Sequence, residues 1–183
     1  AKIPRNFSYE KVAPAGEGPT YALSIIRAAR VTKGQHVLVY GASGAIGSAA
    51  VQLLKHFGAK VTAVCGTKNV KLMRSLGLDT VIDYETADFT QSGQRYDLII
   101  DAVGKSSYGV CKKMLTAQGK YVSSELGRFL QNPLLALWFG VTGSQKVLFP
   151  IPKINKENME FIKKLLEAGE YTPIVDRTYP LEK

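Results

Sequence analysis

From about residue 35 onward the chain alternates short unbroken apolar runs with longer stretches whose apolar positions recur three and four apart. Residues 36–40, His-Val-Leu-Val-Tyr, are a run that stops at glycine, as a strand buried on both faces does. Ile46, Ala49, Ala50, Leu53, Leu54 and Phe57 follow at helical spacing, with Gly58 as the stop. Residues 60–65 are rich in β-branched side chains and predict a second strand. Val70, Met73 and Leu76 mark one face of the next helix, closed by Gly77. Further strands are predicted at 80–83, 97–101 and 120–124, with a helix at 108–115 between the last two. Residues 128–150 carry a weaker pattern, read as a short helix at 133–139 and a sixth strand at 146–149. Met159, Ile162, Leu165 and Leu166 place a late helix that ends at Gly169. Ahead of the first strand, residues 21–30 predict a helix with Thr20 as its N-cap.

Strands separated by helices of about ten residues are βαβ units. The predicted fold is therefore α/β: a doubly wound, six-stranded parallel sheet of Rossmann type with helices on both faces. No internal repeat or long linker divides the chain, so one domain is expected over residues 1–183. Its parts are a lead-in segment over 1–34, the Rossmann core over 35–170 and a return segment over 171–183.

Composition narrows the classes without choosing a function. A chain that is 45% hydrophobic and 21% charged is an ordinary globular one. Its most apolar run, residues 134–141, falls far short of the roughly 18 residues that span a bilayer, so no membrane partner is expected. The first residues lack the apolar block of a secretory signal. Cys65 and Cys111, with His36 and His56, show no metal-ligand spacing. The two cysteines suit free thiols in a reducing compartment, with one disulfide as the alternative, and the expectation is a cytoplasmic protein without structural zinc. The net charge of +9 comes from lysines and arginines scattered along the chain. No arginine-rich tract or basic–aromatic stretch appears, so a solvated surface is favoured over a nucleic-acid face.

The chemistry lies in Gly41-Ala-Ser-Gly-Ala-Ile-Gly47, where the first strand turns into the first core helix. A pyrophosphate-binding turn needs a tight bend, then a residue with no side chain where the backbone meets the phosphates, then a small residue where helix and strand pack closely. Gly44 fits the second role and Gly47 the third, while Ala42 holds the usual first position behind Gly41. Amides around Ala45 and Ile46 would face the phosphates, with Ser43 beside them. No Lys-Ser or Lys-Thr follows the last glycine, which excludes a P-loop. At the end of the second strand an acid would bond the adenosine ribose and select NAD. Here Cys65, Gly66, Thr67 and Lys68 stand instead, and Lys68 with the Thr67 hydroxyl favours NADP(H) over NAD(H).

Residues 30–53, with 59–65, 76–84, 96–104 and 173–181, resemble the medium-chain dehydrogenase/reductase superfamily. The likeness is strongest to its zinc-independent quinone oxidoreductase branch and to neighbours described as NAD(P)-dependent alcohol dehydrogenases. The resemblance implies that Tyr84 lies beside the adenosine phosphate, that the turn of Ala102, Val103 and Gly104 runs past the cofactor ribose, and that Thr20 matches a threonine near the nicotinamide. It also implies hydride transfer between NADPH and a quinone, enone or other carbonyl compound, and a possible homodimer joined at the sixth-strand edge through residues 134–139 and 147–149. Three departures stand out. Asn69 occupies the place of the lysine usually paired with the 2′-phosphate, residues 123–127 replace a glycine-rich turn, and no zinc-ligand cysteine lies near Gly16. Family members carry a β-rich catalytic domain before this segment, so the chain is expected to be a cofactor-binding domain of a longer protein. It should bind cofactor with little or no turnover by itself, and no catalytic residue is assigned.

Competing readings are weaker. Tyr108-Gly-Val-Cys-Lys112 has the Tyr-x-x-x-Lys form of short-chain dehydrogenases, but it comes directly after the fourth strand, too early in that fold. A non-enzymatic module that uses NADPH as a ligand, for redox sensing or nucleic-acid binding, is permitted by the charge alone. An S-adenosylmethionine site would want a carboxylate for the ribose at the second strand.

Overall fold

The computed structural model describes residues 7–78, 80–144 and 146–179. The first six residues of the lead-in and the last four of the return segment lie outside the described residues. Six parallel strands form one sheet: β1 (His36–Tyr40), β2 (Lys60–Cys65), β3 (Thr80–Asp83), β4 (Tyr96–Asp101), β5 (Leu115–Ser123) and β6 (Val147–Leu148). Their order is β3-β2-β1-β4-β5-β6, the doubly wound arrangement predicted from the sequence. From β1 the chain winds outward to β2 and β3, then crosses back to place β4 on the other side of β1. The crevice at the C-terminal ends of β1 and β4 is therefore the topological switch point, where such sheets bind ligands.

Alternation along β1 supplies both cores. Val37 and Val39 join Leu23, Ile26, Leu53, Leu54 and Ile162 on one face, contributed by α2 (Glu17–Ala29), α3 (Ala45–His56) and α7 (Lys156–Glu167). Leu38 faces the other way, into a cluster with Ile99, Tyr121 and Cys111 beneath α5 (Tyr108–Cys111) and α6 (Gln131–Val141). The described residues also form two further short helices, α1 (Tyr9–Val12) and α4 (Val70–Ser75).

Several boundaries correct the sequence expectations. Helix α2 starts at Glu17 with Gly16 as N-cap, so Thr20 is not the cap. Pro19 is accepted in the first turn, where its missing amide costs nothing. The helix expected at 108–115 is α-helical over Tyr108–Cys111 and tightens to a 3₁₀ turn over Lys112–Met114, ending one residue early because Leu115 already begins β5. That early start contains an irregularity: Tyr96 pairs with Leu115 but Leu98 pairs with Lys120. Gly119 permits the bulge, since a Cβ there would come within 2.7 Å of the Tyr96 carbonyl oxygen. Helix α6 is longer than expected, β6 is two residues, and α7 begins at Lys156, capped by the Asn155 side chain.

Part of the positive charge has a local structural use. Helix C-termini expose carbonyls that attract cations. The Lys120 ammonium donates to the Ala29 carbonyl at the end of α2, 3.0 Å away. Lys55 donates to the carbonyls of Leu76 and Gly77 beyond α4 at 2.6 and 2.8 Å.

Candidate functional site

The three loop glycines do three different jobs. Gly41 has φ +77°, and a Cβ on it would meet Val103 at 2.5 Å, so it makes the sharp bend beside the β4 turn. A Cβ on Gly47 would lie 2.1 Å from the Gly41 carbonyl oxygen and 2.8 Å from the Ala42 Cα, which is why strand and helix can touch there. At Gly44 the nearest atom to such a Cβ is 3.5 Å away, so the protein itself leaves this position open. The first intrahelical bond of α3 runs from the Ser48 amide to the Gly44 carbonyl at 2.8 Å. The amides of Ala45, Ile46 and Gly47 consequently have no intrahelical acceptor. Gly44 brings no side-chain cap to them either. An exposed glycine beneath three free amides at the positive end of a twelve-residue helix is an anion cradle. The cradle fits the pyrophosphate of a dinucleotide.

At the β2 end, Cys65 is buried and Gly66 is covered by Tyr84 and Glu85. A Cβ on Gly66 would lie 2.5 Å from Glu85 Oε1 and 3.0 Å from the Tyr84 hydroxyl oxygen. The Thr67 amide donates to Glu85 Oε1 at 3.2 Å, and its hydroxyl donates to Asp83 Oδ2 at 2.6 Å. The Thr67 hydroxyl proton is thus directed to a carboxylate and away from any phosphate. Asn69 donates from Nδ2 to Ser43 Oγ at 3.0 Å, tying this turn to the glycine loop. Lys68 is exposed and has no ion-pair partner among the described residues.

The third wall is the turn after β4. Asp101 is wholly buried, and its carboxylate accepts from the Val103 amide at 3.2 Å, the Ser106 amide at 2.8 Å and the Tyr121 hydroxyl at 3.1 Å. Ala102 donates its amide to the Tyr40 carbonyl at 3.0 Å. Gly104 is at φ +65°, and a Cβ there would strike the Glu125 side chain at 2.4 Å. Burial, with Asp101 adding to it, pushes the Tyr121 phenol well above its ordinary range, so it stays a donor.

These three walls enclose a cleft of about 360 Å³ lined by Tyr40, Gly41, Ser43, Gly44, Cys65, Tyr84, Val103 and Lys105. Of the candidates, Ser43, Gly44, Cys65, Tyr84 and Val103 line it together. Gly47, Gly66, Ala102 and Gly104 shape it from behind. Thr20 is placed differently: it is buried in α2, its hydroxyl donating to the Gly16 carbonyl at 2.6 Å, with Met159 also in reach. Sequence reasoning left out Tyr40, Lys105, Glu85 and Asp101. The signal available for Lys105 was its place directly after Gly104, in the turn that the family resemblance places along the cofactor ribose. Burial raises the pKa of both the Cys65 thiol and the Tyr40 phenol, with Asp83 and Asp101 adding to the effect, so both are neutral at neutral pH. Tyr108 packs its ring on Tyr121 and Phe139 at the start of α5, a core contact. Among the described residues no three His, Cys, Asp or Glu side chains gather as a metal site. None of the described helices is long and apolar enough to cross a membrane.

The sequence profile described as zinc-binding dehydrogenase matches residues 76–183. The chain is 35% identical over 160 residues to the chloroplast envelope quinone oxidoreductase homolog of Arabidopsis thaliana, covering 82% of this chain and 47% of that protein. It is 32% identical over 170 residues to the mitochondrial NAD(P)H oxidoreductase RTN4IP1 of Bos taurus, covering 82% of this chain and 43% of that protein. The chain thus spans about half the length of the curated relatives it matches. The solved quinone oxidoreductase from Coxiella burnetii superposes with a TM-score of 0.80 at 22% identity, over 93% of this chain and 53% of that one, a likeness of fold.

Proposed function

This chain belongs to the zinc-binding dehydrogenase family of the medium-chain dehydrogenase/reductase superfamily, on its quinone oxidoreductase-like side, and from that premise we propose that its cleft binds NADP(H) for hydride transfer. The observation that carries the proposal is the open position at Gly44 beside the free amides of Ala45, Ile46 and Gly47. The pyrophosphate would sit there, the adenosine toward Cys65, Gly66 and Tyr84, and the ribose along Ala102, Val103 and Gly104. The bound nicotinamide supplies a hydride. The chain's own residues hold the cofactor by its phosphates and by the turn around Asp101. The proposed acceptor is a quinone, enone or other carbonyl compound, and names of relatives such as quinone oxidoreductase and NAD(P)H oxidoreductase support that class. Oxidation of NADPH by the whole protein, followed in the presence of a panel of quinones and enones, tests the activity. No turnover with any of them would sink it.

Preference for NADPH rests on Lys68, which has no carboxylate partner among the described residues and stands next to Thr67. A charge-assisted hydrogen bond contributes about 1.5–3 kcal/mol, or roughly ten- to a hundredfold. Asp83 and Glu85 face the same turn and oppose a 2′-phosphate, so the expected preference is at the lower end, about tenfold. Calorimetric titration with NADPH and NADH measures it, and Lys68→Gln should bring the two affinities together. Equal binding by the unaltered protein would remove the 2′-phosphate part of the proposal and leave the cradle.

A homodimer belongs to the same proposal. Leu134, Leu137, Trp138 and Val141 are exposed and lie at i, i+3, i+4 and i+7 on α6. Leu135, Ala136 and Phe139 pack inward. A helix that is apolar all round is normally covered on both sides, and α6 stands beside β6, the strand at the sheet edge. Sedimentation should show a dimer that Trp138→Lys converts to monomer, whereas a monomeric wild type at high concentration would count against the interface. Cytoplasmic residence is also proposed, on Cys65 and Cys111 being free thiols; the relatives named above are chloroplastic and mitochondrial.

A further inference from the structure

We propose that Lys105 is a phosphate-binding residue of the cofactor cleft, directed at the pyrophosphate held by the glycine loop. The inference rests on the cofactor reading above and adds to it a residue that the glycine motif does not contain. Lys105 is the one charged side chain among the described residues lining the cleft; the others are glycine, serine, cysteine, valine and tyrosine. The cysteine and Tyr40 are held neutral by burial. Asp83 and Glu85 engage the Thr67 turn and do not line the cleft, and neither does Lys68. Within the cleft itself a dinucleotide's pyrophosphate therefore meets one full charge among the described lining residues, a positive one, on the wall opposite the β2 end.

The placement of that charge is built into the turn. Lys105 follows Gly104, whose positive φ and contact with Glu125 admit no side chain. It precedes Ser106, whose amide is fixed on the buried Asp101 carboxylate. Two residues before it, the Val103 amide is fixed on the same carboxylate, and the Val103 side chain touches Gly41 of the loop. Burying a carboxylate is costly, and the three donors around Asp101 offset that cost while fixing the shape of the turn. The shape enforced here brings the lysine to the rim of the cleft, next to the loop that carries the free amides. No carboxylate pairs with Lys105 among the described residues, so its ammonium is available to a phosphate.

The test is titration of the whole protein and its Lys105→Gln variant with NADPH, NADH and ADP-ribose, which shares the pyrophosphate and lacks the nicotinamide. The expected result is a loss of roughly tenfold for all three ligands, a shallower salt dependence, and recovery in Lys105→Arg. Unchanged affinities in Lys105→Gln would overturn the proposal and leave an ordinary solvated lysine. A loss confined to NADPH would also overturn it, since the cation would then serve the 2′-phosphate. If the unaltered protein binds none of the three, the cofactor reading itself fails, and this inference with it; binding by wild type with no effect of the variant condemns the inference alone.

Discussion

Gly44→Ala should leave the protein as stable as before and remove most of its cofactor affinity, while Gly47→Ala should damage both. The two glycines lie three residues apart, yet their surroundings are opposite. A methyl on Gly47 would sit 2.1 Å from the Gly41 carbonyl oxygen and 2.8 Å from the Ala42 Cα. These are backbone atoms of the loop itself, so the strand and helix must separate. Overpacking of this kind costs about 1–3 kcal/mol, and with backbone on the receiving side the upper end is expected. For a chain of this size that lowers the melting temperature by about 6–12 °C. The same separation carries the amides of Ala45 and Ile46 away from their aim. At Gly44 the nearest atom to an added methyl is 3.5 Å distant, and the residue's φ of −75° with ψ of 175° suits alanine. The melting temperature should stay within about 2 °C of wild type, with a slightly stiffer unfolded chain offsetting any local strain. The methyl would stand where the pyrophosphate approaches, and both nicotinamide cofactors should bind about a hundredfold more weakly. Wild-type binding by Gly44→Ala would show that the loop does not hold the pyrophosphate. A wild-type melting temperature for Gly47→Ala would show that the helix–strand contact is looser than drawn.

This contrast also marks how much of the site could be read in advance. The glycine loop was legible because its chemistry belongs to the backbone, and only glycine spacing has to be preserved to encode it. Strands β1 to β4 were legible for a related reason: each is a short apolar run, broken on both sides by glycine or polar residues. The beginning of β5 was not, because Thr116, Ala117 and Gln118 have the look of a solvated loop and the bulge at Gly119 breaks the alternation. Helix α6 was underestimated because its outward side is as apolar as its inward side, which erases the periodicity by which helices are recognised. Thr20 does not cap because Glu17 and Pro19, both good first-turn residues, already belong to the helix. What no local pattern could supply was the carboxylate geometry. Glu85 reaches the Thr67 amide across eighteen residues, and Tyr121 reaches Asp101 across twenty. Sequence spacing says nothing about contacts made by strands that become neighbours only in the sheet.

Asp101 is where such a contact should have the second large effect. Replacing it by alanine leaves two backbone amides and the Tyr121 hydroxyl without their acceptor, and Tyr121 has no route to water. Each unsatisfied buried group costs about 1–3 kcal/mol. Partial rescue of the two amides by water limits the total to about 3–5 kcal/mol, still a large fraction of a domain's stability. Asp101→Asn preserves the shape but not the match, because its single oxygen can face only one side. The Tyr121 hydroxyl can rotate to accept from the new amide group; the backbone amides of Val103 and Ser106 cannot, so one of them is opposed by an N–H. An intermediate loss of about 1–3 kcal/mol is expected. Tyr121→Phe removes only one donor and should cost about 1 kcal/mol. It should also flatten the alkaline limb of the stability curve. The folded phenol is held protonated by burial, so in the wild type stability falls as pH rises past 10.0, where the unfolded tyrosine ionises. Denaturant titrations of the three variants give this ranking, alanine worst and phenylalanine mildest. In Asp101→Asn the loosened turn should weaken NADPH and NADH alike and leave their ratio unchanged, because the residue proposed to set that ratio, Lys68, stands at the β2 end. A variant as stable and as tightly binding as wild type would mean that the β4 turn keeps its shape without the carboxylate. A changed ratio would mean that the two walls of the cleft are coupled.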